Sequence, residues 1–197
     1  MTEATTDDEQ LPPLRYAYKA SVAGSPQIFE LTGQGMSYHT GFRSGVWGYG
    51  DIGRIRLTYR PVSMLRHRFR ADIRHKDGRT LKIFSATFAG ILALTPQNDS
   101  YRAFIAELHR RVAAAGGSAE YVAGLNPIAF AMAVAVFGAI AIAIATLLVR
   151  ALVAGDVVAV LFLLGFVAWS GWYIGSWLMR NKPQRYAPEH VPEQLLP

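Results

Sequence analysis

The stretch RIRLTYRPVSMLRHRFRADIRHKDGR, residues 54–79, carries nine Arg or Lys residues and two acids. A β-strand sends successive side chains to opposite faces. On that period Ile55, Leu57 and Tyr59 fall on one side and Arg54, Arg56 and Arg60 on the other. In the next run Phe69, Ala71 and Ile73 face one way, while Arg66, Arg68, Arg70 and Arg74 face the other with Asp72 among them. The two runs are expected to be hairpin neighbours, so their arginine rows merge into one basic patch above an apolar face. Asp77-Gly78 then sits between RHRFRADIRH and TLKIFS as a second hairpin turn, because both residues tolerate positive φ.

Working outward, RYAYKASV, QIFELTG and GMSYHTG are rich in aromatic and β-branched residues and bounded by Gly, Ser or Pro, which reads as short strands. GVWGYGDIGRIRLTYR continues the series to Pro61. After a looser segment, FAGILALTPQ, the residues Tyr101, Phe104, Ile105, Leu108 and Val112 recur at helical spacing. Asp99 or Ser100 is placed to cap that helix and Gly116 to end it. Many short strands followed by one amphipathic helix is an antiparallel α+β order.

A Trp-bearing strand, an Asp-Ile pair, a charged hairpin and Y-x-x-F-x-x-x-L-H on a closing helix resemble bacterial pleckstrin-homology-like domains. Here these are Trp47, Asp51-Ile52, Asp77-Gly78, and Tyr101, Phe104, Leu108 and His109, within roughly residues 15–115. The resemblance implies a seven-stranded, strongly bent sheet, a PH-like β-barrel or roll closed by a C-terminal helix. It also implies a binding module rather than an enzyme. Phosphoinositide-binding members place their basic cluster around the first hairpin, where this chain has only Arg15 and Lys19. The closing stretch RNKPQRYAPEHVPEQLLP is similar to the tails of small uncharacterised bacterial membrane proteins.

The chain has 197 residues, half of them hydrophobic, and a mean hydropathy of +0.18. The apolar excess is concentrated in residues 126–149 and 157–179. Each run holds about 23 uncharged residues, or roughly 35 Å of helix, against a hydrocarbon core of about 30 Å. Only a hydrogen-bonded helix satisfies the backbone there, and the short RALVAGD link makes the pair an antiparallel hairpin. Asn126 is an expected N-cap, and Pro127 suits the first turn. Arg110, Arg111, Arg180, Lys182 and Arg185 flank the spans on one side against Arg150 alone in the link. The positive-inside rule then places both termini in the cytoplasm, and the resemblance implies that the membrane is a bacterial inner membrane.

Within the hairpin, Phe162, Phe166, Trp169, Tyr173 and Trp177 make one helical stripe. They are read as rings packed on the small residues Ala131, Ala135, Gly138 and Ala139 of the other helix, with an interfacial belt as the alternative for Trp177, or as a surface for another membrane subunit. Gly171 and Gly175 form a GxxxG pair that would permit close helix approach. No acid, His or Lys lies inside either span, which argues against transport.

The domain plan is an acidic, disordered tail (residues 1–13), a cytoplasmic PH-like domain (14–117), the hairpin (126–179) and a Pro-rich cytoplasmic tail (180–197). The first thirteen residues lack the features of a signal peptide. The last segment reads either as disordered or as a short docking segment on the domain or a partner.

Net charge is +6 overall and +9 in residues 14–125. The soluble part therefore expects an acidic partner. The absence of cysteine excludes disulfides and thiolate chemistry. His39, His67, His75, His109 and His190 show no HExxH spacing, and the P-loop, GxGxxG and GxSxG patterns are missing. The glycines at 41, 45, 48 and 50 alternate with aromatics, as bends in a sheet do. No catalytic residue, metal or cofactor is expected. The arginine rows read as a solvated sheet face, a patch for anionic lipid headgroups, or a face for an acidic protein. Nucleic acid is disfavoured by membrane tethering and the lack of a motif.

Two functions follow as expectations. One is a non-enzymatic, membrane-anchored adaptor or accessory protein whose arginines bind acidic protein or anionic lipid at the inner leaflet. The other is a supernumerary subunit of a large respiratory or photosynthetic membrane complex, bound through the hairpin.

Overall fold

The computed structural model describes residues 13–41, 43–63, 66–89 and 93–197, with the side chains of residues 60–63, 66–68 and 194 left aside. All but the last residue of the expected acidic N-terminal tail lies outside the described residues. The chain forms two compact units, one of residues 1–121 with 186–197 and one of residues 122–185.

The first unit begins with a four-stranded antiparallel meander: β1 (Leu14–Lys19), β2 (Pro26–Leu31), β3 (Met36–Thr40) and β4 (Arg43–Trp47). A 3₁₀ turn, Tyr49–Asp51, splits the run that the sequence read as continuous. A second meander follows in β5 (Ile52–Ser63), β6 (Arg66–His75) and β7 (Thr80–Phe84). A small separate hairpin, β8 (Ala86–Phe88) with β9 (Leu94–Pro96), begins just before the segment read as loose and takes up its two ends. The helix α1 (Asn98–Ala114) comes next, ending at Gly116 with φ +65°. Neither Asp99 nor Ser100 caps it, since Gln97 holds the N-cap position without a side-chain bond. The fold is thus α+β with antiparallel sheets. Strands β1–β7 lie in two sheets, neither closed on itself, so the barrel implied by the resemblance does not form among the described residues.

The second meander has the register its alternation demands. Ile55 lies opposite Ile73 and Leu57 opposite Ala71, with Ile73 and Ala71 paired in turn to Leu81 and Ile83 of β7. All of these except half-buried Leu81 are fully buried. The Asp77-Gly78 hairpin is closed by His75 N–H donating to Arg79 O at 2.9 Å, with Gly78 at φ +96°.

Aromatic residues join the first sheet to the rest of the core. Tyr16 of β1 packs within 6.0 Å of Tyr101 and 5.6 Å of Phe104 on α1, and Tyr18 stacks on Phe29 at 6.2 Å. Both tyrosine hydroxyls donate to carbonyls of β7, Tyr16 to Phe84 O at 2.6 Å and Tyr18 to Lys82 O at 2.5 Å. Buried phenols need such partners, and here they also satisfy backbone oxygens of β7.

Arg111 is almost wholly buried on α1. It donates to Glu107 Oε1 at 2.6 Å, Thr32 O at 2.9 Å and Tyr49 Oη at 3.3 Å. Sequence counting took it as a charge flanking the membrane, whereas in the fold it ties α1 to the end of β2. Burial works against its charge, but the bonds to Glu107 and Tyr49 outweigh that and leave its pKa raised.

The second unit starts as a two-stranded ladder. The end of β10 (Glu120–Ala123) pairs with β11 (Gln184–Arg185) through Val122–Arg185 and Ala123–Gln184. Gly124, at φ +80°, passes so close to the Asn181 and Lys182 carbonyls that a Cβ would collide with both. Leu125 N–H donates to Asn181 O at 2.9 Å. Asn126 then caps α2 (Pro127–Val153) by accepting from Ile128 N–H at 2.7 Å. α2 runs past Arg150, so the link is shorter than expected, and Asp156 caps α3 (Val157–Arg180) through Ala159 N–H at 3.0 Å.

Both helices are long and apolar enough to cross a membrane, and neither is buried in the protein. Exposed Ile128, Leu161, Phe162 and Trp172 exclude the reading as core helices of a soluble protein and suggest membrane association. Half-buried positions recur at 133, 137, 144 and 148 on α2 and at 163, 170, 174 and 177 on α3, the spacing of an antiparallel seam.

Two predictions follow from this architecture. Gly124→Ala combines a left-handed backbone with a steric clash, so the protein should unfold at lower temperature, by a loss of more than about 1–2 kcal/mol; thermal denaturation in mild detergent reads it. Glu107 has its carboxyl held down to about 2, chiefly by the hydrogen bond from Arg110 against the effect of burial and then by that from Arg111. Such a group contributes stability above its unfolded pKa of 4.5 and loses it as pH falls through the folded value. Acid titration of Glu107→Gln should therefore show a flatter stability profile between those two values than the parent chain.

Candidate functional site

The register of β5, β6 and β7 settles which charges share a face. Arg54 lies opposite Arg74, Arg56 opposite Asp72, Thr58 opposite Arg70, and Arg60 opposite Arg68. Across β6, Asp72 lies opposite Lys82 and Arg74 opposite Thr80. The two arginine rows therefore merge on one face, and β7 adds Lys82. Arg60, Arg66 and Arg68 are in the ladder by backbone register, but their side chains lie outside the described residues.

The face is not uniformly open. At its end Arg74, Thr80 and Lys82 are exposed. In its middle, Thr58 is buried and Arg70 pairs with Asp72, each side chain 15% exposed. Arg54 donates to Glu120 at the start of β10 at 2.6–2.7 Å, a partly exposed pair. Arg56 lies in the same field without an ion pair among those found for the described residues. Its pKa is lowered by burial and then by repulsion from Arg54, with Asp72 and Glu120 opposing. Arg54, Arg56, Arg70, Arg74 and Lys82 thus outnumber Asp72 and Glu120 by three. An exposed pair such as Arg54–Glu120 contributes only about 0.2–1 kcal/mol. Its consequence is for the shape of the field: among the described side chains, the exposed and unneutralised charge lies toward Arg74 and Lys82.

Lys82 and Glu120 were missed in the sequence. Lys82 was within reach, since period-two alternation along TLKIF puts it level with Asp72. Glu120 was not, because EYVA was not recognised as a strand and its neighbour across the sheet is set by long-range pairing.

At the hairpin tip, Asp77 accepts from Arg79 at 2.6 Å, and Arg79 lies over the Trp47 ring at 5.8 Å. Among the described residues, no three His, Asp or Glu side chains converge as a metal site would need.

The hairpin residues separate differently from their expected packing. Trp177 meets Phe137 of α2 edge-on at 6.0 Å. Phe162, Phe166, Trp169 and Tyr173 are instead exposed, one helical position away from the seam, and Ala131, Ala135, Gly138 and Ala139 are exposed on α2. A Cβ at Gly171 or Gly175 would meet nothing within 4 Å, so the GxxxG pair does not bring α2 and α3 together. Trp177 alone of the five rings meets α2, and it meets a phenylalanine, so the expected packing of rings on the small residues of α2 is not found.

The C-terminal segment supplies a second constellation. Tyr186 Oη lies 2.8 Å from Nε2 of His109, whose Nδ1 is 2.7 Å from Ile105 O. With Nδ1–H donating to that carbonyl, Nε2 accepts the tyrosine proton. His109 is 1% exposed, and burial pushes its pKa down and that of Tyr186 up. Of the two readings of the tail, the docked one is therefore what the fold contains. Comparison with protein-family models, with curated proteins and with solved structures finds no match.

Proposed function

We propose that this chain is a membrane-anchored, non-catalytic binding module of a bacterial inner membrane, both termini cytoplasmic. Its basic sheet face would engage an anionic surface at the inner leaflet, either lipid headgroups or an acidic protein. The observation that carries this reading is the in-register row of Arg54, Arg56, Arg70 and Arg74 with Lys82, in excess of its two carboxylates. Each basic residue near an anionic leaflet contributes about 1 kcal/mol, so a surplus of three corresponds to an affinity gain of roughly a hundredfold. A four-stranded meander and a three-stranded meander, followed after the small β8–β9 hairpin by a helix, are the features that favour kinship with pleckstrin-homology-like modules. The outward-facing rings of Phe162, Phe166, Trp169 and Tyr173 favour a second reading, in which the hairpin seats the chain in a larger membrane complex.

The lack of native cysteine permits a direct test. Thr80→Cys, beside Arg74 on the exposed end of the face, carries a donor fluorophore in nanodiscs whose lipids carry an acceptor. Energy transfer should rise as phosphatidylglycerol replaces zwitterionic lipid and fall with salt. Adding Arg74→Glu and Lys82→Glu should remove that rise; a lipid response that survives the reversal rules out the headgroup arm. Pull-down in mild detergent separates the others. A partner lost on charge reversal supports an acidic protein, and one lost only when Phe166 and Trp169 become Ala supports the hairpin-seated subunit.

A further inference from the structure

Residues 186–197 fold as part of the first unit although residues 122–185 separate them from it in the chain. At one end Tyr186 N–H donates to Tyr121 O at 3.2 Å, and its ring lies 5.8 Å from His109 and 5.9 Å from Tyr121. At the other end Arg102 Nε donates to Pro197 O at 2.9 Å. Arg102 and His109 are two turns apart on the same side of α1, about 10 Å along its axis. The segment therefore runs antiparallel to α1. Its 3₁₀ turn, Glu193–Leu195, lies against β5, and Leu195 is 1% exposed. The cleft between α1 and β5 is thus closed by a segment from the far end of the chain. Without it the buried His109 imidazole and the surroundings of Leu195 would open to water.

The route by which the segment arrives restricts when it can bind. It follows α3 after only Asn181–Arg185. Five extended residues reach at most about 18 Å, short of the roughly 30 Å of a hydrocarbon core. If α2 crosses a bilayer and α3 does not return, the segment is stranded on the side opposite its cleft. The geometry points to the α1–β5 cleft as a docking site for this chain's own residues 186–197 that closes only after the second crossing, so that completion of the soluble unit reports completed insertion. The basis is packing and chain reach, and it is independent of what the arginine face binds.

The test uses the full chain in membranes, with amide exchange along α1 and β5 as the readout. One variant, Tyr186→Ala with Leu195→Asp, opens the latch. A second, Leu164→Arg with Gly165→Arg, leaves cleft and segment intact but puts two charges in mid-span to keep α3 from crossing, verified by protease access to a C-terminal tag. Both should exchange at least tenfold faster than the parent around His109 and in β5. A synthetic peptide of residues 184–197, added on the side of the soluble unit, should restore protection in both. Parent-like exchange in either variant, or failure of the peptide to restore protection, overturns the proposal.

Discussion

The period-two register of β5, β6 and β7 is the constraint on which the first unit depends. With Ile55, Ile73 and Leu81 in one layer and Leu57, Ala71 and Ile83 in the next, these six apolar side chains share the core face, while Phe84 lies opposite Arg70 on the other. A slip of one residue would turn Arg54, Arg56 and Arg70 inward and the isoleucines outward. Burying an unpaired guanidinium costs several kcal/mol, so the charge run acts as a guard on the register. The same alternation that produces a stable core thereby concentrates positive charge on the other face.

That concentration is shaped by two carboxylates placed by different means. Asp72 comes from within β6, so sequence alone puts it among the arginines and opposite Arg56. Glu120 arrives from β10, long after α1, and meets Arg54 only because the chain folds back along β5. Both lower the local field where the sheet is partly covered. Among the described side chains, Arg74 and Lys82 are the exposed cations of the face. A cation that looks similar in sequence, Arg111, is withdrawn altogether: with its charge shared among Glu107, Thr32 and Tyr49, it serves packing.

In the second unit the entry and exit of the helix pair are fastened together by backbone. The β10–β11 ladder, the close passage of Gly124 against Asn181 and Lys182, and the two helix caps at Asn126 and Asp156 leave few free polar groups at the helix ends. Thr146 and Ser170 return their hydroxyl protons to Ile142 O and Phe166 O within their own helices, as hydrocarbon surroundings require. The seam between α2 and α3 uses Phe137 and Trp177, which leaves the alanine-rich face of one helix and most rings of the other turned outward.

The alternation in residues 54–84, the apolar face of α1, the turn at Asp77-Gly78 and the two membrane-length helices were all determined by the sequence, because each follows from a local period or a local backbone preference. The inward and outward faces of β5 and β6 needed no knowledge of the rest of the chain. Only the tertiary structure decided that Arg54 pairs with Glu120, that Arg111 is buried, that Phe162, Phe166, Trp169 and Tyr173 turn away from α2 while Trp177 meets it, and that Tyr186 and Leu195 return to α1 and β5. Each of these joins residues far apart in the chain or depends on the rotation of one helix about its axis. Local periodicity carries no information about such contacts, because they are fixed by which surfaces remain to be covered once the local elements have formed.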